Sequence, residues 1–305
     1  MKRLLQIWVL PLLFLGLVIS IADTALADNG DKGIDEKFGL PIVVYGETLT
    51  ESQKEEVRKL LKVDDPSTVD EITVTAQDLA RLIDGNPNSR MFSSAKITLK
   101  EKGTGLVITR VTPENITQVT DEMYANALLT AGVENASVDV ASPVKVSGHS
   151  ALVGIYKAYE SKGVTLDKER MEVANEELSL ATDLADKEGM DKEKAGELMT
   201  EIKKAIAEQN PATREEVEQI VEEQLKKLKI ELSPEDRQLL VDLFDKMRSI
   251  NIDFDNVKQQ LEDITKDLKK KMEDVMGDKG FWDGVADFFK KLMESISNFF
   301  KGLFG

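Results

Sequence analysis

The stretch Ala95–Val111, AKITLKEKGTGLVITRV, decides how the N-terminal half is read. Two runs within it, Ala95 to Glu101 and Leu106 to Val111, alternate apolar and polar residues with the period of a half-buried strand. Lys102-Gly103-Thr104-Gly105 joins them, a composition suited to reversing the chain, so an antiparallel hairpin is expected. The glycines could also cradle a phosphate, but no G-x-x-x-x-G-K-[ST] is present and no helix opens directly after them. Around this pair, strands and helices alternate. Leu40–Tyr45, Glu71–Val74 and Ser137–Ala141 read as short strands. Thr50, with Gln53 three residues on, predicts a capping box and a helix to about Lys62 that buries Val57, Leu60 and Leu61. Thr75 caps a helix carrying Leu79, Leu82 and Ile83. Thr117 or Thr120 starts one carrying Met123, Tyr124, Ala127 and Leu128, and Ser150 caps one from Ala151 to about Ser161. A hairpin set into such an alternation predicts α+β: a mixed sheet with helices over one or both faces, spanning residues 38–163.

From Val164 the strand signals nearly vanish. Five helical segments are expected, at about 167–188, 191–208, 213–229, 234–248 and 255–276, divided by Gly189, Asn210-Pro211, Ser233-Pro234 and Asn251–Asp255. Their apolar stripes include Ala195, Leu198, Ile202, Ala205 and Ile206 in the second. Leu239, Leu240, Leu243, Phe244 and Met247 form that of the fourth. Val257, Leu261, Ile264, Leu268, Met272 and Val275 keep nearly coiled-coil spacing in the fifth. Residues 164–277 therefore read as an all-α bundle or elongated helical region. Residues 278–305 add an amphipathic helix.

Charge and composition exclude several classes of function. The 305-residue chain has 40 Lys+Arg against 56 Asp+Glu, a formal net charge of −16, one histidine and no cysteine. Disulfides, thiolate chemistry and Cys- or multi-His-ligated metals are impossible. The acidic field disfavours nucleic acid as a partner. No cofactor motif is present. Residues 1–27 read as a secretory signal peptide: Lys2 and Arg3, an apolar run from Leu4 to Ile21, and Ala25-Leu26-Ala27 before a cut after Ala27. An uncleaved anchor is the rival reading. Residues 28–37 form a polar leader. Export to the cell envelope or the exterior is the expected localisation. Without a cysteine for lipidation, retention there needs a non-covalent contact.

The C-terminal segment could supply that contact. Read as a helix, it places Phe281, Val285, Phe288, Leu292, Ile296, Phe299 and Leu303 on one stripe, widened by Trp282, Phe289 and Phe300. Such a face can pack on the protein's own bundle, lie in a membrane interface, or dock a partner or a second copy. Other candidates are weaker. Asn251, Asp253, Asp255 and Glu262 mimic a calcium loop, but Asn256 stands where glycine is expected and Lys258 where an aliphatic residue packs. The other reading is an interhelical turn with Asp253 or Asp255 as helix cap. His149 would have to be the base of any Ser-His-Asp hydrolase, yet no G-x-S-x-G elbow accompanies it. Paired carboxylates for glycoside chemistry remain open in so acidic a chain. The sequons at Asn115 and Asn135 read as turn or cap chemistry.

Three stretches carry a family resemblance: Gly46–Thr50 (GETLT), Thr112–Thr117 (TPENIT) and Met123–Glu160 (MYANALLTAGVENASVDVASPVKVSGHSALVGIYKAYE). Together they resemble the YpuA-like secreted proteins of Gram-positive bacteria, domain of unknown function 1002. The likeness is close over residues 38–165 and looser beyond. It implies an exported, envelope-associated protein and brings no catalytic residues. The expected function is a non-enzymatic binding protein at the envelope, making protein or lipid contacts. A secreted hydrolase with paired carboxylates is the alternative.

Overall fold

The computed structural model describes residues 39–187, 189–250 and 252–276. A five-stranded sheet forms from β1 (Ile42–Gly46), β2 (Asp70–Val74), β3 (Ser94–Leu99), β4 (Leu106–Arg110) and β5 (Ala136–Ala141), in the order β2-β1-β3-β5-β4. β1 pairs parallel with β2, and β4 parallel with β5; β3 lies antiparallel between β1 and β5. The fold is α+β with a mixed sheet, as the sequence predicts.

The expected hairpin does not form. β5 lies between β3 and β4, taking six residue pairs from β3 (Ser94↔Ala141 to Leu99↔Ala136) and five from β4. Asn135 holds the connecting loop open. Its backbone carbonyl accepts the Lys100 N–H (3.0 Å), and its side-chain Oδ1 accepts the N–H groups of Gly103 (2.8 Å) and Gly105 (3.2 Å). A glycine-rich linker thus spans two strand spacings, roughly 10 Å, rather than one. The Asn135 sequon residue serves turn chemistry, and so does Asn115, whose Nδ2 donates to the Ser142 carbonyl (2.8 Å).

Period-two alternation sorts β1 between two cores. Ile42 and Val44 face the main core, with Ala95 and Ile97 of β3 and Val138 and Val140 of β5. Val43 and Tyr45 face a smaller cluster with Val57 and Leu61, supplied by α1 (Glu51–Leu60) and the turn after it. α2 (Ala76–Ile83), α3 (Asp121–Thr130) and α4 (Ser150–Ser161) lie on the main-core side. Caps fix these helices. Thr50 and Gln53 make the capping box of α1, Thr75 and Asp78 that of α2, and Thr120 accepts the Met123 N–H at the start of α3. Side chains cover edge strand β4: Gln260 accepts the Leu106 N–H (3.1 Å) and Asp121 the Arg110 N–H (3.0 Å).

The helical half follows the expected segments closely: α5 (Lys168–Ala185), α6 (Lys192–Gln209), α7 (Arg214–Leu228), α8 (Pro234–Ser249) and α9 (Phe254–Met276). α5, α6 and α9 pack on α3. The main core runs without a break from β1 to Leu261 of α9, across the Lys162-Gly163 turn. One stripe residue departs from expectation. Leu239 is 50% exposed, because α8 centres Leu240, Leu243, Phe244 and Met247 on the core and leaves Leu239 at the flank of that face. Among the described residues no helix is long and apolar enough to cross a membrane.

Candidate functional site

A cavity of about 360 Å³ opens where the segment before β3, the loop after β5 and the start of α4 converge. The first wall is Ser89–Phe92. Met91 is tied to the end of β1 through its N–H to Thr48 Oγ1 (2.8 Å) and its carbonyl from the Thr48 N–H (3.0 Å). This approach requires Gly46, where a Cβ would lie 2.2 Å from the Met91 carbonyl oxygen. The second wall is Lys145–Ser147, joined to the segment before α3 by Val146 N–H to Asn115 O (2.8 Å) and Thr117 N–H to Val146 O (2.9 Å). Gly148, at φ +112°, turns the chain into α4, and its carbonyl accepts the buried Tyr124 hydroxyl (2.7 Å).

His149 lies at the helix entrance. Its Nε2 is 3.2 Å from Thr182 Oγ1, whose own proton is directed to the Ser179 carbonyl (2.9 Å) or the Leu178 carbonyl (3.2 Å). With the Thr182 proton so directed, the Nε2–H tautomer donates to Thr182 and leaves Nδ1 as an acceptor. Burial pushes the His149 pKa down, against the opposing charge of Asp183. Ser150 begins α4 instead of capping it, and the N-cap position, His149, makes no side-chain cap bond. That leaves the Ser150 side chain to line the cavity.

The cavity's charge contrasts with that of the chain. Arg90 and Lys145 line it, together with His149 and the serines 89, 147 and 150, and no Asp or Glu does. Neither Arg90 nor Lys145 has an ion pair among the described residues; the Arg90 guanidinium stands 5.8 Å over the Phe92 ring. The sequence reading named His149 and Ser150 but missed Arg90 and Lys145. A signal was present: residues 85–100 and 140–159 contain no acidic residue, in a chain with 56.

The other candidates fall elsewhere. Asp253 caps α9, accepting the Asn256 N–H (3.0 Å); Asp255 is exposed in its first turn; Glu262 is half-buried further along; Asn251 lies outside the described residues. Among the described residues no three His, Asp or Glu side chains gather as metal ligands. A second cavity, about 380 Å³, lies between the β3–β4 loop and α9, lined by Glu134, Asn135, Asp253, Gln260 and Asp263 among others. Glu134 and Asp253 both act on the guanidinium of Arg170, which closes the end of α3 through Nε to Thr130 O (2.7 Å). Phe281, Trp282, Val285, Phe288, Phe289, Leu292, Ile296, Phe299, Phe300 and Leu303 all lie outside the described residues.

Two carboxylates, the half-buried Glu122 and the buried Glu177, join the helical layer to α3. Burial pushes the Glu122 carboxyl up, with Glu197 and Glu201 adding to the effect, while the Thr200 hydroxyl donates to it (2.7 Å). Glu177 and Lys203 form an ion pair at 2.6 Å with each side chain 1% exposed. Lys203 Nζ also donates to Asn126 O (2.8 Å) and Thr130 Oγ1 (2.7 Å), and Thr130 donates to Glu177 (2.7 Å). Neither cavity is lined by these groups.

Fold and site together define an α+β protein in which a mixed sheet carries a helical layer and an acid-free, basic cavity. The chain belongs to the family described as protein of unknown function (DUF1002), which matches residues 45–264 and so takes in the helical layer as well as the sheet. It is 35% identical over 303 residues to the uncharacterized protein YpuA of Bacillus subtilis (strain 168), an alignment covering 97% of this chain and 99% of that relative. No solved structure matches the chain.

Proposed function

We propose that the protein is exported and acts at the cell envelope by binding, its C-terminal segment contacting a membrane surface or an envelope protein. A homo-oligomer, in which a second copy of the chain docks through the same stripe, and packing of the stripe on the protein's own bundle are the other arrangements open to that segment. One observation carries binding over catalysis: Glu122, the carboxyl that burial pushes up, is locked to Thr200 between α3 and α6 and lines neither cavity. Its raised pKa thus belongs to a contact between helices and to neither cavity. The signal-like residues 1–27 and the aromatic stripe from Phe281 to Leu303 support export and envelope contact from the sequence side. Of the two cavities, only the second offers carboxylates to the hydrolase alternative, Glu134, Asp253 and Asp263, and two of these act on Arg170.

Trp282 provides the test, being the sole tryptophan once residues 1–27 are removed. The expected result is a blue shift of its emission with anionic vesicles or an envelope fraction, and co-sedimentation lost on truncation at Gly280. Emission that is already blue, protected from quencher and indifferent to both additions would sink the reading.

A further inference from the structure

The basic cavity is lined by residues between Leu79 and Ser150. We propose that it is a binding site for a phosphate monoester, with Arg90 and Lys145 holding the phosphate and Phe92 and Leu79 receiving the organic part.

The argument begins with charge. A net charge of −16 repels anions at a distance, so a cavity that is to hold one must set cations together with no carboxylate beside them. Lys157, Lys162, Arg58 and Arg81 each pair with a carboxylate near the same sheet. Arg90 and Lys145 have none among the described residues, and they come from separate segments to one cavity without a carboxylate on its lining. Two permanent cations match the charge of a phosphate monoester, about −1.5 to −2 at pH 7, better than that of a single carboxylate. The guanidinium offers a planar fork to two phosphate oxygens, and the ammonium a point charge to a third. Serines 89, 147 and 150 add hydroxyl donors.

The apolar part of the lining carries the other half of the ligand. Leu79, Met91, Phe92 and Val146 provide a wall that a bare inorganic ion would not use. A volume of about 360 Å³ is at the small end of the range for small-molecule sites. Both basic walls are fixed by main-chain hydrogen bonds, to Thr48 on one side and to Asn115 and Thr117 on the other. The backbone of the site is thus in place before any ligand arrives, and binding orders the exposed side chains of Arg90 and Lys145 upon it.

His149 reports on the cavity directly, because it is the chain's single histidine. Its imidazole resonances would be followed by NMR during titration with phenyl phosphate. Benzoate is the matched carboxylate, and vesicles containing phosphatidic acid present the same group on a lipid. The expected result is a saturable shift with phenyl phosphate and a rise in the His149 pKa when the dianion occupies the site. Arg90→Ala and Lys145→Ala should each weaken binding about tenfold or more, and Lys145→Arg should restore much of it. Saturation by soluble phenyl phosphate assigns the phosphate to a small molecule or polymer. Saturation by the vesicles alone, lost in Arg90→Ala, assigns it to a lipid headgroup. Either supports the proposal. It is overturned by the absence of any saturable response, by binding that ignores both substitutions, or by benzoate binding as tightly as phenyl phosphate.

Discussion

Replacing Lys203 by methionine tests how the helical layer is held to α3. The pair it breaks is 2.6 Å long and 1% exposed on both sides. At an effective dielectric of about 20 the attraction across that distance is roughly 6 kcal/mol, and withdrawing two ions from water costs several kcal/mol each. The intact pair therefore comes close to breaking even. Removal of one partner does not. In Lys203→Met, Glu177 must stay charged in a dry site with only the Thr130 hydroxyl, or take up a proton. Protonating a carboxyl of ordinary pKa near 4.3 at pH 7 costs about 3.7 kcal/mol. Losing the bonds to Asn126 and Thr130 adds to this, and burial of the methionine offsets part of it. The expected loss is about 3–5 kcal/mol, read as a lower urea midpoint at unchanged slope. Replacing both partners, as Lys203→Met with Glu177→Leu, should cost only about 1–2 kcal/mol, because no charge remains buried and only Asn126 O and Thr130 lose partners. A single-variant loss under about 1.5 kcal/mol, or a double variant equal to the sum of the singles, would refute the reasoning.

Gly148→Ala should cost at least about 2 kcal/mol, since φ is +112° and the new Cβ would lie 2.7 Å from the Tyr124 hydroxyl and 2.8 Å from Ile116; thermal denaturation measures it. Leu239→Ala should change stability by under about 0.5 kcal/mol, whereas Phe244→Ala, fully buried on the same helix, should cost about 3–5 kcal/mol in chemical denaturation. Burial holds His149 below its ordinary value of 6.5, so on acidification the unfolded chain binds this proton first. Stability should fall as pH drops through 6.5 toward the folded value, and His149→Gln should flatten that part of the profile.

Much of the local structure could be read from the sequence because it depends on neighbours in the chain. The Thr50–Gln53 capping box, the Thr75 and Thr120 caps and the five C-terminal helices rest on side chains bonding to backbone within one turn, and on a 3.6-residue apolar period. The same locality limited the reading of the cavity. The start of α4 near Ser150 was visible as a helix entry, though the helix begins at Ser150 and not after it. Arg90 and Lys145 carry no local pattern, and only the sheet and its connections bring them to one place. Leu239 marks a finer limit. It adjoins Leu240, and the choice of which of the two is buried depends on how α8 is rotated against its neighbours.

The sequence by itself determined that this chain alternates strands with helices and then continues in helices alone, where most of them begin, that it is acidic, and that cysteine and multi-histidine chemistry are excluded. Tertiary structure alone decided which strands pair. Alternation in Ala95–Val111 specifies two strands and a reversal between them, but any extended segment with a matching apolar face can supply the ladder. β5, with Val138 and Val140 facing the core, gives β3 six paired residues and β4 five, and Asn135 satisfies the glycine N–H groups of the widened loop. Backbone hydrogen bonds carry no residue identity, so the pairing was settled by burial across the whole sheet and not by the turn.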